Sequence, residues 1–500
     1  MRSFSKSKLM ALRQCEKRLW LEVHRPDLRE DSEQAEYRFQ VGHQVGGLAR
    51  SLFDPEGKGV LIDIDKEGFT AAFARSAELL KHRQPVFEAG FSVGGALAFA
   101  DVMLPNDPPA ELSWRMIEVK SSTSVKDYHR DDVAVQAYVA KVAGSPLTSV
   151  SLAHIDSSWI YPGNNDYRGL LKVNDLTDEA VARQAEVQGW IAKAGEVVEQ
   201  PQEPVIAIGA HCDAPFECSF YSYCSRDEPK PEYPVYWLPR FPSAKVRELA
   251  ESGIDDLRDV PDDLLNERQR RVKAHTLDNQ AYFDAAGAAA DLAPYPLPVQ
   301  FLDFETIQFP VPIWAGTRPY QQIPFQFSLH TIGTGGQLEH AEFLDLSGGD
   351  PSAQFADELI RLCGTDPLPI FVYNAAFERS RISELATRFP NQREALLTLN
   401  ERIVDLLPIA RERYYHPSQH GSWSIKAVLP AVVPELQYSD LDGVQDGGMA
   451  MDAFLEALHP QTASDRKQHI RDQLLAYCKL DTYAMVRLWQ VFSGRTDLAL

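Results

Sequence analysis

Apolar and polar residues recur along this chain at two spacings, and the changes of spacing divide it. Residues 1–30 hold basic and apolar positions at helical intervals, in SKSKLMALRQCEKRLWLEV, and predict one helix stopped before Pro26. From about residue 40 to 230, runs that alternate every second residue, VFEAGFSV and RMIEVKSS, predict strands. Between and after them lie helical patterns such as DDVAVQAYVAKVA. A Pro-rich, aromatic stretch from Lys230 to Pro242 closes this region. Next comes a compact helical piece, SAKVRELAESGIDDLRDVPDDLLNERQRRVKAHTL, with turns at Gly253 and Pro261. Two short helices about a Gly turn fit a helix-hairpin-helix element that grips a nucleic-acid backbone, and equally a plain helical connector. A second linker, Ala293 to Pro298, opens into PVQFLDFETI, after which strands and helices alternate up to the long amphipathic pattern RDQLLAYCKLDTYAMVRLWQVF. There is no internal repeat. The pattern predicts an α/β multidomain protein.

Length agrees with that division, since 500 residues exceed one ordinary core and two or three domains are expected. Hydrophobic residues make up 44% and charged residues 24%, as in globular proteins, with no apolar run long enough for a transmembrane helix. The first residues lack the continuous apolar stretch of a signal peptide, so cytoplasmic residence without a membrane partner is the default expectation. A formal charge of −21 argues against a protein that coats nucleic acid through bulk positive charge. It leaves open a nuclease, in which carboxylates and basic grooves are local.

The segment Ile117-Glu118-Val119-Lys120 carries the first candidate chemistry. On a strand Ile117 and Val119 share a face directed to the core, and Glu118 and Lys120 share the other. A metal-binding carboxylate beside an ammonium suits phosphodiester hydrolysis. Asp101, after ALAFA, and Glu88, in VFEAGF, are candidates for further oxygen ligands of Mg²⁺ or Mn²⁺. Gln136 and Tyr138 follow on a helix, all within about fifty residues. A solvated strand edge is the plainer account of Glu-x-Lys taken alone. In order and context the set resembles the PD-(D/E)XK fold of RecB-family and CRISPR-adaptation nucleases, including their Gln-and-Tyr helix. That family usually places a His four residues after a Gly; here Gly46 stands at that place and His43 directly follows Gly42.

Six cysteines are too few for a secreted disulfide scaffold. Cys212, Cys218 and Cys224 form C-x5-C-x5-C, Cys15 stands near the start, and Cys363 and Cys478 fall in apolar contexts that suit buried thiols. One early and three late cysteines resemble the set that holds a [4Fe–4S] cluster in the same nuclease families, where the cluster would tie the first helix to the end of the domain. Zinc, with His211 beside Cys212, is the competing metal, although paired zinc-knuckle spacings are absent.

A second constellation begins at Phe301-Leu302-Asp303-Phe304-Glu305, where Asp303 and Glu305 share one strand face. Adjacent carboxylates repel, and a divalent cation resolves the conflict. Tyr477 and Asp481 lie four apart on one helix face, so a phenol that can orient water stands beside a carboxylate. Between them, FVYNAAFE runs from a buried strand into a polar turn. The set resembles the Tyr-containing subgroup of DEDD exonucleases of the RNase H-like fold. Asp303 and Glu305 match its first motif, Asn374 to Glu378 its second, and Tyr477 with Asp481 its third. The second motif ordinarily ends in Asp where this chain has Glu378. Asp405, in RIVDLLPIA, is a supplementary ligand candidate with helix capping as the plainer role.

The whole chain resembles a bacterial family that fuses a RecB-like PD-(D/E)XK iron–sulfur nuclease domain to a DEDD-type 3′–5′ exonuclease domain. The resemblance implies a first domain over residues 1–230, a helical connector over 231–295 and an RNase H-like domain over 296–500. It implies Mg²⁺ or Mn²⁺ held by Asp101 and Glu118 and by Asp303, Glu305, Glu378 and Asp481. The implied function is metal-dependent nucleic-acid hydrolysis, on DNA rather than RNA, with 3′-end trimming at the second site. Two alternatives stay open. In one, both centres are degenerate and the protein is a nucleic-acid-binding scaffold. In the other, the second site alone is active and processes RNA.

Overall fold

The computed structural model describes residues 3–31, 33–107, 111–228 and 230–498, with the side chains of 33–38 set aside. The chain is α/β and divides into two compact units. The first comprises Met1–Glu228 and Phe309–Tyr320, the second Pro229–Gln308 and Gln321–Leu500.

In the first unit the strands are β1 (Phe4–Ser5), β2 (Val60–Leu61), β3 (Val86–Val93), β4 (Ala96–Pro105), β5 (Trp114–Lys120), β6 (Leu147–Ile155) and β7 (Leu171–Asp175). They form one mixed sheet in the order β2-β3-β4-β5-β6-β7, with β1 paired to β4. β3, β4 and β5 run antiparallel in sequence, and β5 pairs parallel with β6 after the helix Asp127–Val142. That helix buries Val133, Gln136, Ala137 and Ala140 over one face of the sheet, together with Met116 and Leu152. On the opposite face Phe87, Val102, Ile117 and Ala153 pack together. Both faces of β5 are therefore covered. Glu118 is no part of a solvated strand edge: it is buried beneath the helix and 1% exposed.

The start of the chain departs from the single helix that its pattern predicts. Two helices, Lys6–Gln14 and Glu16–His24, are separated by Cys15, whose backbone is extended at φ −163° and ψ 128°. Its N–H still donates to the Ala11 carbonyl, so the break ends the first helix cleanly and turns the second.

In the second unit β9 (Val299–Ile307), β10 (Ile323–Ile332), β11 (Leu338–Leu344), β12 (Ile370–Val372) and β13 (Ile403–Asp405) form a sheet in the order β11-β10-β9-β12-β13. A short pair, β8 (Tyr282–Phe283) with β14 (Tyr414–Tyr415), lies apart. β9 and β12 are parallel, as are β12 and β13, whereas β10 is antiparallel to both its neighbours. Alternation along β9 is strict. Val299 and Phe301 pack with Met485 and Trp489 of the terminal helix Ser464–Ser493, while Leu302 and Phe304 pack with Phe355 and Leu359 of the helix Ser352–Cys363. Asp303 and Glu305 continue the first of these two faces, toward the terminal helix.

The units differ from the three-part division read in the sequence. The segment expected as a connector contributes Val272, Ala288 and Leu292 to the core around Phe301 and Trp489. Residues 309–320, between β9 and β10, instead return to the first unit, where Tyr167 donates to the Pro312 carbonyl at 3.2 Å and Tyr161 N–H to Thr317 O at 2.9 Å. Among the described residues no helix is long and apolar enough to cross a membrane.

Candidate functional site

The strongest candidate lies in the second unit. Asp303 and Glu305 of β9 meet Asp481 of the terminal helix, with a ligand oxygen from each inside a mutual distance of 4.8 Å. Their placement follows from local structure: Asp303 and Glu305 are two apart on a strand, and Asp481 shares a helix face with Tyr477. Glu305 and Asp481 are buried at 8% and 6% exposure. The terminal helix is pinned over the strand by polar contacts, since Gln326, opposite Glu305 in register, donates to Leu474 O at 2.7 Å. Ser328, opposite Asp303, meets the Thr482 hydroxyl at 2.6 Å.

Electrostatics shows the strain in this arrangement. Burial, and then Asp481 and Glu305, push the Asp303 carboxyl well above the usual range. Burial and Asp481 push Glu305 up to about 8. Asp481 is raised by burial to about 6, with the Tyr438 hydroxyl, Lys426 and the Tyr477 hydroxyl pulling the other way. Among the described residues no lysine or arginine forms an ion pair with any of the three. The donor set, three hard oxygen ligands without an ion-pair partner among the described residues, fits a divalent cation such as Mg²⁺ or Mn²⁺.

Two residues at this centre carried no sequence motif. Tyr438 donates its hydroxyl to Asp481 Oδ1, and its ring stands 6.2 Å from that of Tyr477. Lys426 places its ammonium 5.3 Å from the Tyr438 ring centre and 5.2 Å from that of Tyr477, while donating to Gln445 O at 2.7 Å. Both lie in the 425–440 stretch, where a solitary Lys and Tyr give no spacing signal. Cys478, 0% exposed, points its thiol toward Asp303 Oδ2 at 3.9 Å.

Glu378 stands outside the converging group. It is buried at 2% exposure on the helix Ala376–Arg388, one carboxyl oxygen lacks a hydrogen-bond partner, and burial pushes it up to about 8. Asp405 is a cap and does not join the three carboxylates. It accepts from Asn374 N–H at 3.0 Å, Ala375 N–H at 3.1 Å and Leu407 N–H at 2.9 Å. These bonds hold Asn374 in the left-handed region at φ 78°, which turns β12 into the helix that carries Glu378.

In the first unit the structure gathers a different cluster. Lys120 Nζ donates to Glu118 Oε1 at 2.6 Å and to Asp132, and Lys6 Nζ donates to the same Glu118 oxygen at 2.8 Å. Gln136 donates to Glu118 Oε2 and to Phe99 O at 2.8 Å. Burial alone would raise Glu118, but Lys120 and Lys6 outweigh it and hold the carboxyl well below the usual range. Asp101 accepts from Val119 N–H at 2.7 Å and is pushed well above the usual range by burial and then by Glu118 and Glu88. Glu88 sits at φ 55°, an irregular point between the β3–β4 pairs Phe87–Val102 and Ala89–Ala100, and burial and Glu118 raise it too.

Sequence reading missed Lys6 and Asp132. Asp132 was within reach, lying four residues before Gln136 on one helix face. Lys6 is brought in by the β1–β4 pairing and has no local signal. Tyr138 points elsewhere, lining a cavity of about 650 Å³ with Phe4, Gly94 and Gln188. His43 is exposed on the helix Glu33–Phe53, edge-on to Phe39 at 4.3 Å.

Cys15, Cys212, Cys218 and Cys224 line one small cavity, together with Arg18 and His211. All four are free thiols. Burial raises Cys212, Cys218 and Cys224. Their sulfurs do not converge as closely as the three carboxylate oxygens of the second unit.

Residues 300–424 match a family described as Domain of unknown function (DUF2779). The match contains Asp303, Glu305 and Glu378 and ends before Tyr438, Tyr477 and Asp481. No curated protein matches the chain.

Proposed function

We propose that this protein is a metal-dependent nuclease whose reaction centre is formed by Asp303, Glu305 and Asp481. The observation that carries the reading is the convergence of three carboxylates with no lysine or arginine in an ion pair to them among the described residues. The sheet order β11-β10-β9-β12-β13, with the acidic strand central and a terminal helix across it, supports an RNase H-like frame of the DEDD exonuclease type. A divalent cation held there would polarise the phosphate and lower the pKa of an attacking water. The chain's own contribution is positional. Tyr438 fixes one Asp481 oxygen, and Tyr477 presents a hydroxyl on the same helix face for a water or a substrate oxygen. Lys426 holds positive charge beside both rings, where a phosphate would bring negative charge. The substrate proposed is a nucleic-acid 3′ end, DNA rather than RNA.

For the first unit, the antiparallel β3–β4–β5 run followed by a helix and parallel β6 supports a PD-(D/E)XK frame. A specific observation favours binding over cutting there. Both oxygens of Glu118 are already taken, one by two ammonium groups and one by Gln136. The four cysteines around one cavity support the [4Fe–4S] reading, because a cubane spreads its thiolates over separate corners and needs no close convergence. Iron and sulfide analysis of protein purified without air tests that point, and zinc without iron would overturn it.

The functional experiment is degradation of end-labelled single-stranded DNA, duplex DNA and RNA with Mg²⁺ or Mn²⁺. Stepwise shortening from the 3′ end, lost in Asp303→Asn, is the expected result. No degradation of any substrate by the parent with either ion would leave the scaffold reading in its place.

A further inference from the structure

The second unit holds a cavity of about 350 Å³ whose wall includes Arg240, Arg268 and Arg411 with Tyr373, Asn374 and Trp423. Small-molecule sites begin at about 300 Å³, so it has room for one nucleotide unit. Three guanidinium groups around one cavity are unusual in a chain with formal charge −21. Arg268 is answered by Glu412, which also lies 3.8 Å from Arg271. Among the described residues neither Arg240 nor Arg411 forms an ion pair or side-chain hydrogen bond with the protein. The crowding is felt at Arg268, which burial lowers first and then the charges of Arg411, Arg271 and Arg240. Arg240 is held at φ 48°, a backbone state that costs free energy in a non-glycine residue and so marks a constrained side-chain origin. Guanidinium pairs of this kind match phosphate oxygens in a planar, two-pronged geometry.

We infer that this cavity is a phosphate-binding subsite, in which Arg240 and Arg411 grip the phosphate of a nucleotide beside the Tyr373 and Trp423 rings. The inference rests on the nuclease reading for its biological ligand and deepens it. Tyr373 and Asn374 lead directly into the turn that carries Glu378, a carboxyl outside the converging group whose charge bears on Asp303. The walls have their own supports. The Tyr373 hydroxyl donates to Trp423 O at 2.8 Å, and the Trp423 ring nitrogen donates to Tyr414 O at 2.8 Å. Gly421 is required nearby, since a Cβ there would lie 1.6 Å from the Trp237 carbonyl oxygen. Two sources can bring the phosphate: the backbone of a bound strand, or a free nucleoside monophosphate such as a trimming reaction releases.

The test is binding in EDTA, where nothing is cleaved, by the full chain. A labelled single-stranded oligodeoxynucleotide and adenosine 5′-monophosphate are titrated against the parent, Arg240→Ala, Arg411→Ala and the charge-keeping Arg411→Lys. Arg247→Ala, an exposed arginine outside the cavity, is the control. If the strand supplies the phosphate, each alanine variant weakens oligonucleotide binding about tenfold. Each also lowers the slope of log affinity against log salt by about 0.7, as one lost phosphate contact on a single strand requires. Arg411→Lys keeps the slope and loses part of the affinity. If monophosphate binding falls and the oligonucleotide is unaffected, the subsite stands and its ligand is the product. Parental affinity for both ligands in both alanine variants overturns the subsite. That failure is separate from failure of the nuclease reading: an active enzyme with unchanged binding in these variants loses the subsite alone, and arginine-dependent binding without degradation loses the nuclease alone.

Discussion

Glu118 in the first unit and Glu305 in the second each stand on a strand inside a sheet, face a covering helix and have other carboxylates close by. Their surroundings answer burial differently. Around Glu118 the fold supplies Lys6, Lys120 and Gln136, so that the charge is compensated by the protein itself. Around Glu305 it supplies Asp303 and Asp481, with Lys426 acting only from a distance and no ion pair among the described residues. A buried carboxylate paired with lysine is compensated as folded; three converging carboxylates without an ion-pair partner among the described residues are a group that could hold a cation. The comparison separates two uses of the same residue type that look alike in sequence, where Glu-x-Lys and Asp-x-Glu both read as metal motifs.

The largest effect that could break this contrast is on hydrolysis. Asp303→Asn or Asp481→Asn removes one of three cation ligands, and cation assistance contributes several kcal/mol to such reactions, so trimming should fall by about 10³-fold or more. Rates on an end-labelled strand measure it, and parental rates in both variants would make the carboxylates structural.

Next comes stability in EDTA, where the two centres should respond with unequal cost. Glu118→Gln leaves Lys6 and Lys120 with Asp132 as their remaining ion-pair partner among the described residues, and Asp101 acting on both from further away. Breaking a buried pair in this way costs about 3–5 kcal/mol, and the lower end is expected because both ammonium groups keep some contact with water. Glu305→Gln removes one of three mutually repelling groups and should change stability by no more than about 1 kcal/mol, with stabilisation the expected sign. Urea unfolding of both variants reads the difference, and equal losses would dissolve the comparison.

A smaller effect sharpens the second centre. Tyr477→Phe keeps the ring beside Lys426 and Tyr438 and loses only the hydroxyl. If that hydroxyl assists proton transfer, turnover should fall about 10²-fold with cation affinity unchanged. Tyr438→Phe instead frees an Asp481 oxygen and should weaken cation affinity. A Tyr477→Phe variant that fails through affinity alone would reverse the two roles.

How much of this was legible depended on whether the partners are near in sequence. Asp303 with Glu305 and Tyr477 with Asp481 follow from a strand period of two and a helix spacing of four, and Glu118 with Lys120 from the same strand rule. The compensating groups were not legible. Lys6 reaches Glu118 across 112 residues through a two-residue strand pairing, and Tyr438 reaches Asp481 from the short 3-10 helix Tyr438–Asp440. Without those partners, the sequence cannot distinguish a neutralised carboxylate from an open one. The unit boundaries were partly hidden for a similar reason. Residues 309–320 rejoin the first unit through contacts with Tyr161 and Tyr167, which no local pattern announces.

The smallest expected effect concerns Glu378, where the usual exonuclease residue is Asp. Its carboxyl is buried, one oxygen is without a hydrogen-bond partner, and burial followed by Asp405 holds it up near 8 against its own backbone contact. It lies outside the group of three converging carboxylates, yet its charge is felt at Asp303. Any part Glu378 takes in the proposed centre would therefore be played from outside that group. Glu378→Asp shortens the side chain and restores the usual residue, so trimming should be unchanged or rise, within the fivefold range of about 1 kcal/mol. Glu378→Gln keeps the length and hydrogen-bonding shape of the protonated acid and removes its ability to ionise. If Glu378 acts as a carboxylate when a cation is present, the Gln variant should need more Mn²⁺ for half-maximal rate, while the Asp variant should need no more than the parent. Equal Mn²⁺ requirements in all three proteins would make Glu378 a buried acid of the fold, and the centre would then consist of Asp303, Glu305 and Asp481 alone.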